Sequence, residues 1–305
     1  MTTPASNYKL VRLASGTHSI HSEAHGETFH PVIGPVAEAE ALYVNQLRLR
    51  ERLNAHPLDE QFVIWDVGLG AAANSLIVLN AARDISRHIR IVSFDNTAAP
   101  LEFALQNAEA LGYLVGYESP LAELLRSHRV EFQNGASRVT WEFHLGDFPT
   151  LLEKRLPKQI GAPHAILFDA YSPAKNPAMW TLPLFTQLFQ QLDPQRPCAL
   201  PTYSRSTIMR VTLLLAGFFV GVGHATGKKE ETTIAANLMS LIEQPLDQRW
   251  LDRARRSHSA EPMIESIYRI APLSVESWEK LRAHPQFSLM PFGNTGAESQ
   301  RDSII

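Results

Sequence analysis

A single cysteine, Cys198, leaves no partner for an intramolecular disulfide and no multi-cysteine metal site, and it suits a reducing compartment. A surplus of positive charge is also missing. The 28 basic and 31 acidic side chains give a formal net charge of −3, so any nucleic-acid partner has to be held by a local patch. No apolar run approaches the roughly 18 residues of a membrane span. Residues 1–22 lack the charged-then-apolar pattern of a leader, and a soluble, cytoplasmic chain with no membrane and no disulfide-linked partner is expected. Internal repeats are absent. What is present is apolar material, 45% of 305 residues, enough for one large domain with additions.

Alternation in Lys9-Leu10-Val11-Arg12-Leu13 and in Thr17-His18-Ser19-Ile20-His21, with Ser15-Gly16 between, predicts a hairpin. After a loop at 26–31, the stripe Ala39, Leu42, Tyr43, Leu47 and Leu53 predicts one helix over about 36–54, closed by Pro57. His18, His21, His25 and His30 fit no single helix face, so no metal is expected there. Glu27 and His30 are candidates for lining a pocket under this flap. From Gln61 onward strand, glycine turn and helix repeat, the signature of a doubly wound α/β sheet. Strands are expected near 62–67, 89–94, 139–145, 165–168 and 198–203, with a last antiparallel pair near 218–225 and 231–240. The expected division is 1–60 for the hairpin and helix, 61–244 for the sheet domain, and 245–305 for a helical extension with a frayed tail.

The candidate chemistry lies at the strand ends, where open α/β sheets bind ligands. Four successive strands end at or near an acid: Asp66, Asp95, Asp147 and Asp169. Gly68-Leu69-Gly70 lets backbone approach a ligand closely, and Asp95 at the end of the next strand can accept both hydroxyls of a ribose. The loop serves either a dinucleotide or S-adenosylmethionine. Asp66, two residues before the first glycine, favours the latter, since it would attract the methionine ammonium and repel a pyrophosphate. Gly146-Asp147 is placed to contact an adenine amino group. Each acid equally suits a helix cap. The loop after Asp169, with Ser172-Pro173 and Asn176-Pro177, is rigid and suits a substrate pocket.

The string Phe168-Asp169-Ala170-Tyr171-Ser172-Pro173-Ala174-Lys175-Asn176-Pro177, with Trp180, resembles the signature F-D-A-F-S-P-x-x-N-P-x-x-W. That signature marks the methyltransferase family found as the amino-terminal half of the bifunctional tRNA-modifying enzyme MnmC and as stand-alone proteins. The resemblance runs over about 26–240 and takes in Asp66-x-Gly68-x-Gly70 with Asn74, Gly146-Asp147, and Gly227-Lys228-Lys229-Glu230. It implies a Rossmann-like class I methyltransferase fold, a seven-stranded, mostly parallel sheet with helices on both faces. It also implies methyl transfer from S-adenosylmethionine to the aminomethyl group of a modified wobble uridine in tRNA, giving 5-methylaminomethyl-(2-thio)uridine. By position Asp169 would bind and activate the amine, and Asp66, Gly68, Gly70, Asn74, Asp95, Gly146, Asp147 and Asp169 would hold the cofactor. Tyr171 or Trp180 would pack on the uracil or near the sulfonium, Trp180 being equally suited to the core. Lys175, Lys228 and Lys229 would meet phosphates of the anticodon loop. The chain carries no second, flavin-binding half, so FAD is not expected. It departs from the family loop G-x-G-T-G-x-N at Ala71 and Ala72, and has Lys-Lys-Glu-Glu at 228–231 where the family usually has Arg-Lys-Arg-Glu. Two alternatives stay open: a methyltransferase acting on a small amine or a protein, and a non-catalytic binding module on the same fold.

Overall fold

Phe62 and Ile64 turn to one core cluster while Val63, Trp65 and Val67 turn to another, so the strand they share is buried on both faces. That strand is the centre of the sheet. The computed structural model describes residues 7–227 and 230–288.

Three short strands open the chain, β1 (Tyr8–Arg12), β2 (His18–Ser22) and β3 (Glu27–Thr28), as an antiparallel sheet in the order 1-2-3. The helix expected over 36–54 is broken. α1 (Pro35–Ala39) runs into a π-helical turn (Glu40–Asn45), Arg48 takes a left-handed φ of 49°, and α2 (Leu49–Ala55) starts afresh. An apolar stripe carries no mark of a widened turn. The π turn bears Tyr43, whose hydroxyl donates to Phe168 O at 3.3 Å, and leads to Gln46, which accepts from His224 N at 3.1 Å.

The main sheet is built from β4 (Gln61–Val67), β5 (His88–Asp95), β6 (Arg129–Asn134), β7 (Ser137–Leu145), β8 (Ala165–Phe168), β9 (Ala199–Thr202), β10 (Phe219–Gly223) and β11 (Thr232–Ala236). The spatial order is 10-11-9-8-4-5-7-6. β7, β5, β4, β8 and β9 pair in parallel, and the chain reverses only at β6 and β11. Eight strands stand where seven were expected. The extra one is β6, which pairs with β7 through a hairpin turn at 135–136. Its alternation of charged and apolar residues, Arg129 to Phe132, marks a half-covered edge strand. At the other end β11 inserts antiparallel between β9 and β10, so β10 is the outer strand there.

The helices along the sheet are α3 (Ala73–Ala81), α4 (Ala99–Gln106), α5 (Ala108–Leu111), α6 (Glu118–Ser127), α7 (Phe148–Glu153), α8 (Leu182–Gln190) and α9 (Thr207–Leu215). α10 (Gln248–Arg255), α11 (Val275–Arg282) and α12 (Pro285–Ser288) close the described chain. α10 buries Trp250, Leu251 and Ala254 and leaves Arg249, Arg253, Arg255 and Arg256 exposed. Gln286 donates to Val220 O at 2.8 Å and to Leu246 O at 2.9 Å, fastening this end to β10. Among the described residues no helix is long and apolar enough to cross a membrane.

Candidate active site

β4 and β8 are parallel neighbours with Val67 opposite Phe168, so the chain leaves both strands at the same edge. The two exits touch. At Gly68 φ is +94°, and a Cβ there would stand 2.8 Å from Asp169 O. A side chain is excluded by backbone on one side and by dihedral angle on the other. Gly70 N donates to Asp95 Oδ2 at 2.9 Å, and Thr97 N to Asp95 Oδ1 at 3.2 Å, which ties the glycine loop to the end of β5. Burial pushes the Asp95 carboxyl upward and these amides pull it back.

Ala72, where the resembled family has glycine, adopts a left-handed φ of 61° just before α3. An L-residue pays about 1–2 kcal/mol there, partly offset by the greater freedom glycine would have when unfolded. Ala72→Gly is therefore expected to stabilise the protein by roughly 0.5–1 kcal/mol, read by urea denaturation. An unchanged or lower midpoint would refute it.

Asp169 is held by remote parts of the fold. Its amide donates to Val67 O at 3.0 Å. The neighbouring carbonyls are each capped by an aromatic donor: Phe168 O by Tyr43 at 3.3 Å, Ala170 O by Tyr203 at 3.1 Å and Tyr171 O by Trp180 at 2.7 Å. The carboxylate Oδ2 accepts from Asn74 Nδ2 at 2.8 Å and lies 3.0 Å from His30 Nε2. Burial works against a charge on His30, but Asp169 and then Glu38 reverse it and bring the imidazole to about 9. Glu27 on β3 accepts from Ser172 N at 3.2 Å and from the Ser172 hydroxyl. His25 stacks on Tyr171 at 4.0 Å between ring centroids, and Phe29 meets the same ring edge-on at 5.7 Å.

Between flap and strand ends lies a cavity of about 510 Å³. Of the residues expected to form a site, Glu27, His30, Gly68, Gly70, Asn74, Asp95, Gly146, Asp147, Asp169, Tyr171, Ser172 and Asn176 line it. Asp147 also caps α7, accepting from Thr150 N at 3.2 Å. Pro173 and Lys175 are not in the wall, and Lys228 and Lys229 lie outside the described residues. Trp180 is sealed in the core and supports the Asp169 loop through its indole, in place of the expected substrate contact. Asp66 does not reach the cavity as expected either. It shares a face of β4 with Phe62 and Ile64, and its Oδ2 accepts from Ser75 and Ser93 hydroxyls, both at 2.8 Å, beneath the glycine loop. Burial there pushes it up to about 7.

Among the lining residues that escaped the sequence reading are Glu38, Phe29 and Tyr203. Glu38 had a signal, an acid at the same helical spacing as Pro35, Ala39 and Leu42, on the buried face. Among the described residues no group of three or more His, Cys, Asp and Glu side chains could hold a metal ion. The flap histidines bond elsewhere, His18 to Ala110 O at 3.2 Å, His21 to Thr28 Oγ1 at 2.9 Å and His25 to Ser22 Oγ at 3.1 Å.

A family model described as S-adenosyl-L-methionine-dependent methyltransferase matches residues 115–238. The tRNA 5-methylaminomethyl-2-thiouridine biosynthesis bifunctional protein MnmC of Methylibium petroleiphilum is 30% identical over 253 residues, 78% of this chain and 36% of that protein. The protein of the same name from Aeromonas hydrophila is 27% identical over 221 residues, 69% of this chain and 32% of that protein. The chain thus spans about a third of the length of these relatives. The crystal structure of MNMC2 from Aquifex aeolicus shares the fold, with a TM-score of 0.66 at 21% identity, covering 90% of this chain and 82% of that one.

Proposed function

Because the chain belongs to the S-adenosylmethionine-dependent methyltransferase family represented in the MnmC proteins, we propose that it methylates the primary amine of an aminomethyl uridine at the wobble position of tRNA. The observation that carries this reading is Asp169, a carboxylate fixed at the end of β8 and facing the cavity that the glycine loop and Asp95 also line.

The residues fit the cofactor. About 510 Å³ falls within the range of about 300–1,000 Å³ typical of small-molecule and cofactor sites. Asp95 is a carboxylate with acceptor capacity beyond its bonds from Gly70 and Thr97, as a ribose diol requires. Gly68, Gly70, Asp95 and Asp147 would hold the cofactor, which when bound supplies an electrophilic methyl group on a sulfonium. Asp169 would hold the substrate ammonium, take part in its deprotonation and point the nitrogen lone pair. Asn74 keeps the carboxylate oriented. Tyr171 and Phe29 offer apolar ring surface to a base, and the unpaired anticodon loop lets a wobble base enter without opening a duplex.

Calorimetric titration with S-adenosylmethionine is the first test. Binding by the wild type is expected, weakened roughly 10- to 100-fold in Asp95→Ala by the loss of charge-assisted hydrogen bonds. Methylation of tRNA bearing the aminomethyl group then tests the substrate. No cofactor binding would overturn the reading, whereas firm binding without tRNA methylation would turn it to a small amine or a protein.

A further inference from the structure

His30 lines the cavity from the flap side. It is buried against Asp169, with side chains 9% and 18% exposed. Its backbone is left-handed at φ 46°, although it precedes Pro31, and proline steers the residue before it to extended backbone. Strain at a buried, ionisable side chain that lines a cavity points to function. Nε2 stands 3.0 Å from Asp169 Oδ2, within ion-pair and hydrogen-bond distance. The contact is an ion pair at the wall of the cavity.

We infer that His30 is a positioning residue acting through Asp169: the carboxylate meets the substrate ammonium, and the imidazole receives and holds the proton that the ammonium gives up. The inference rests on the amine-methyltransferase reading above. Asp169 after β8 and Glu38 on α1 act on the ring, and the Tyr43 and Tyr203 phenols, which feel the same two carboxylates, are kept protonated by burial. Asn74 donates to the oxygen that His30 faces. With Asp169 Oδ2 at 3.0 Å and Glu38 also acting on it, the ring carries its proton at neutral pH in the unliganded protein. An ammonium arriving at Asp169 competes for the same negative charge and expels that proton to solvent. The neutral Nε2 is then the acceptor. The substrate N–H bond breaks, its electron pair stays on nitrogen, and the proton passes through the carboxylate to Nε2. The nitrogen pair takes the methyl group as the C–S pair returns to sulfur. The product is a secondary ammonium, and one proton is left on His30 for release.

Sinefungin, a cofactor analogue with an amine in place of the methyl sulfonium, tests the charge exchange without turnover. At pH 8, titrations in buffers of different ionisation enthalpy are expected to show about one proton released per wild-type site and far less in His30→Gln. Equal release from both proteins would overturn the inference. In turnover, His30→Gln should be slower near neutral pH by roughly 10- to 100-fold, as when a group that orients a catalytic side chain is removed. That deficit should shrink as pH rises towards the amine's own pKa. A deficit constant with pH would mark a purely structural residue and sink the idea. Should the variant fail to fold, NMR titration of the wild-type His30 ring decides the matter. The ring is expected to stay protonated through pH 8 when unliganded and to titrate lower with sinefungin, and an unmoved midpoint would overturn the exchange. A wild type that binds neither cofactor nor analogue would defeat the functional reading, while an unliganded ring that titrates at or below the ordinary histidine value would separately defeat the pairing.

Discussion

Asp169→Asn is expected to lower methyl transfer by between about 10² and 10⁴-fold, the range for loss of a positioned acid–base group. Cofactor affinity should fall far less, because Asp95, Gly70 and Thr97 make their contacts among themselves. The amide of asparagine keeps the size of the carboxylate and a donor or acceptor for Asn74, so the Asp169 loop stays clamped by Tyr43, Tyr203 and Trp180. What is lost is the charge that holds an ammonium. Single-turnover methylation beside calorimetric cofactor binding separates the two effects, and a variant that turns over at the wild-type rate would remove Asp169 from the chemistry.

The same substitution has a signature in stability. Burial disfavours a charged His30, and the charges of Asp169 and Glu38 overcome it, so the folded value of about 9 lies above the ordinary 6.5. The folded protein therefore binds this proton more tightly than the unfolded chain. The stabilisation is complete below about pH 6.5 and is lost as pH rises through about 9. Urea denaturation of wild type and Asp169→Asn should show a stability difference that narrows between about pH 6 and pH 10. A gap that stays constant across that interval would mean that the ion pair contributes nothing to folding.

Gly68→Ala should be nearly as damaging by another route. The new Cβ would lie 2.8 Å from Asp169 O and 3.1 Å from Asp169 C. Neither atom can retreat easily, since the Asp169 amide is bonded to Val67 O and β4 is paired with β8. Left-handed backbone adds about 1–2 kcal/mol and overpacking about 1–3 kcal/mol, so a loss of about 2–5 kcal/mol is expected. Because the atoms that must shift belong to Asp169, methyl transfer should fall more than the change in folded fraction explains. Denaturation with an unchanged midpoint would show that the two strand exits are looser than their contact implies.

Much of this arrangement is legible along the chain. Acids that follow a short apolar strand and precede a glycine or a proline turn emerge at one edge of a parallel sheet, which is why Asp95, Asp147 and Asp169 were readable as neighbours. The Gly68-x-Gly70 turn and the five parallel strands follow from the same local alternation of apolar runs and breakers. Local pattern also holds the clue to Asp66, because the pleat's period of two places it on the face of Phe62 and Ile64. Whether that face would be open or covered depended on where α3 carries Ser75.

Distance in sequence hid the rest. The latch from Glu27 to Ser172, the pair His30–Asp169 and the clamp of Tyr43 on Phe168 O each join segments more than a hundred residues apart. No periodicity records such a meeting. The sequence alone therefore established the sheet, the strand-end acids and the glycine turn, since these arise from backbone stereochemistry acting over a few residues. Folding in three dimensions decided that Trp180 is core, that Asp66 lies beneath the loop, and that a strained histidine from the flap stands against the acid of β8. Packing makes those choices, because a buried charge persists only where remote groups gather to compensate it.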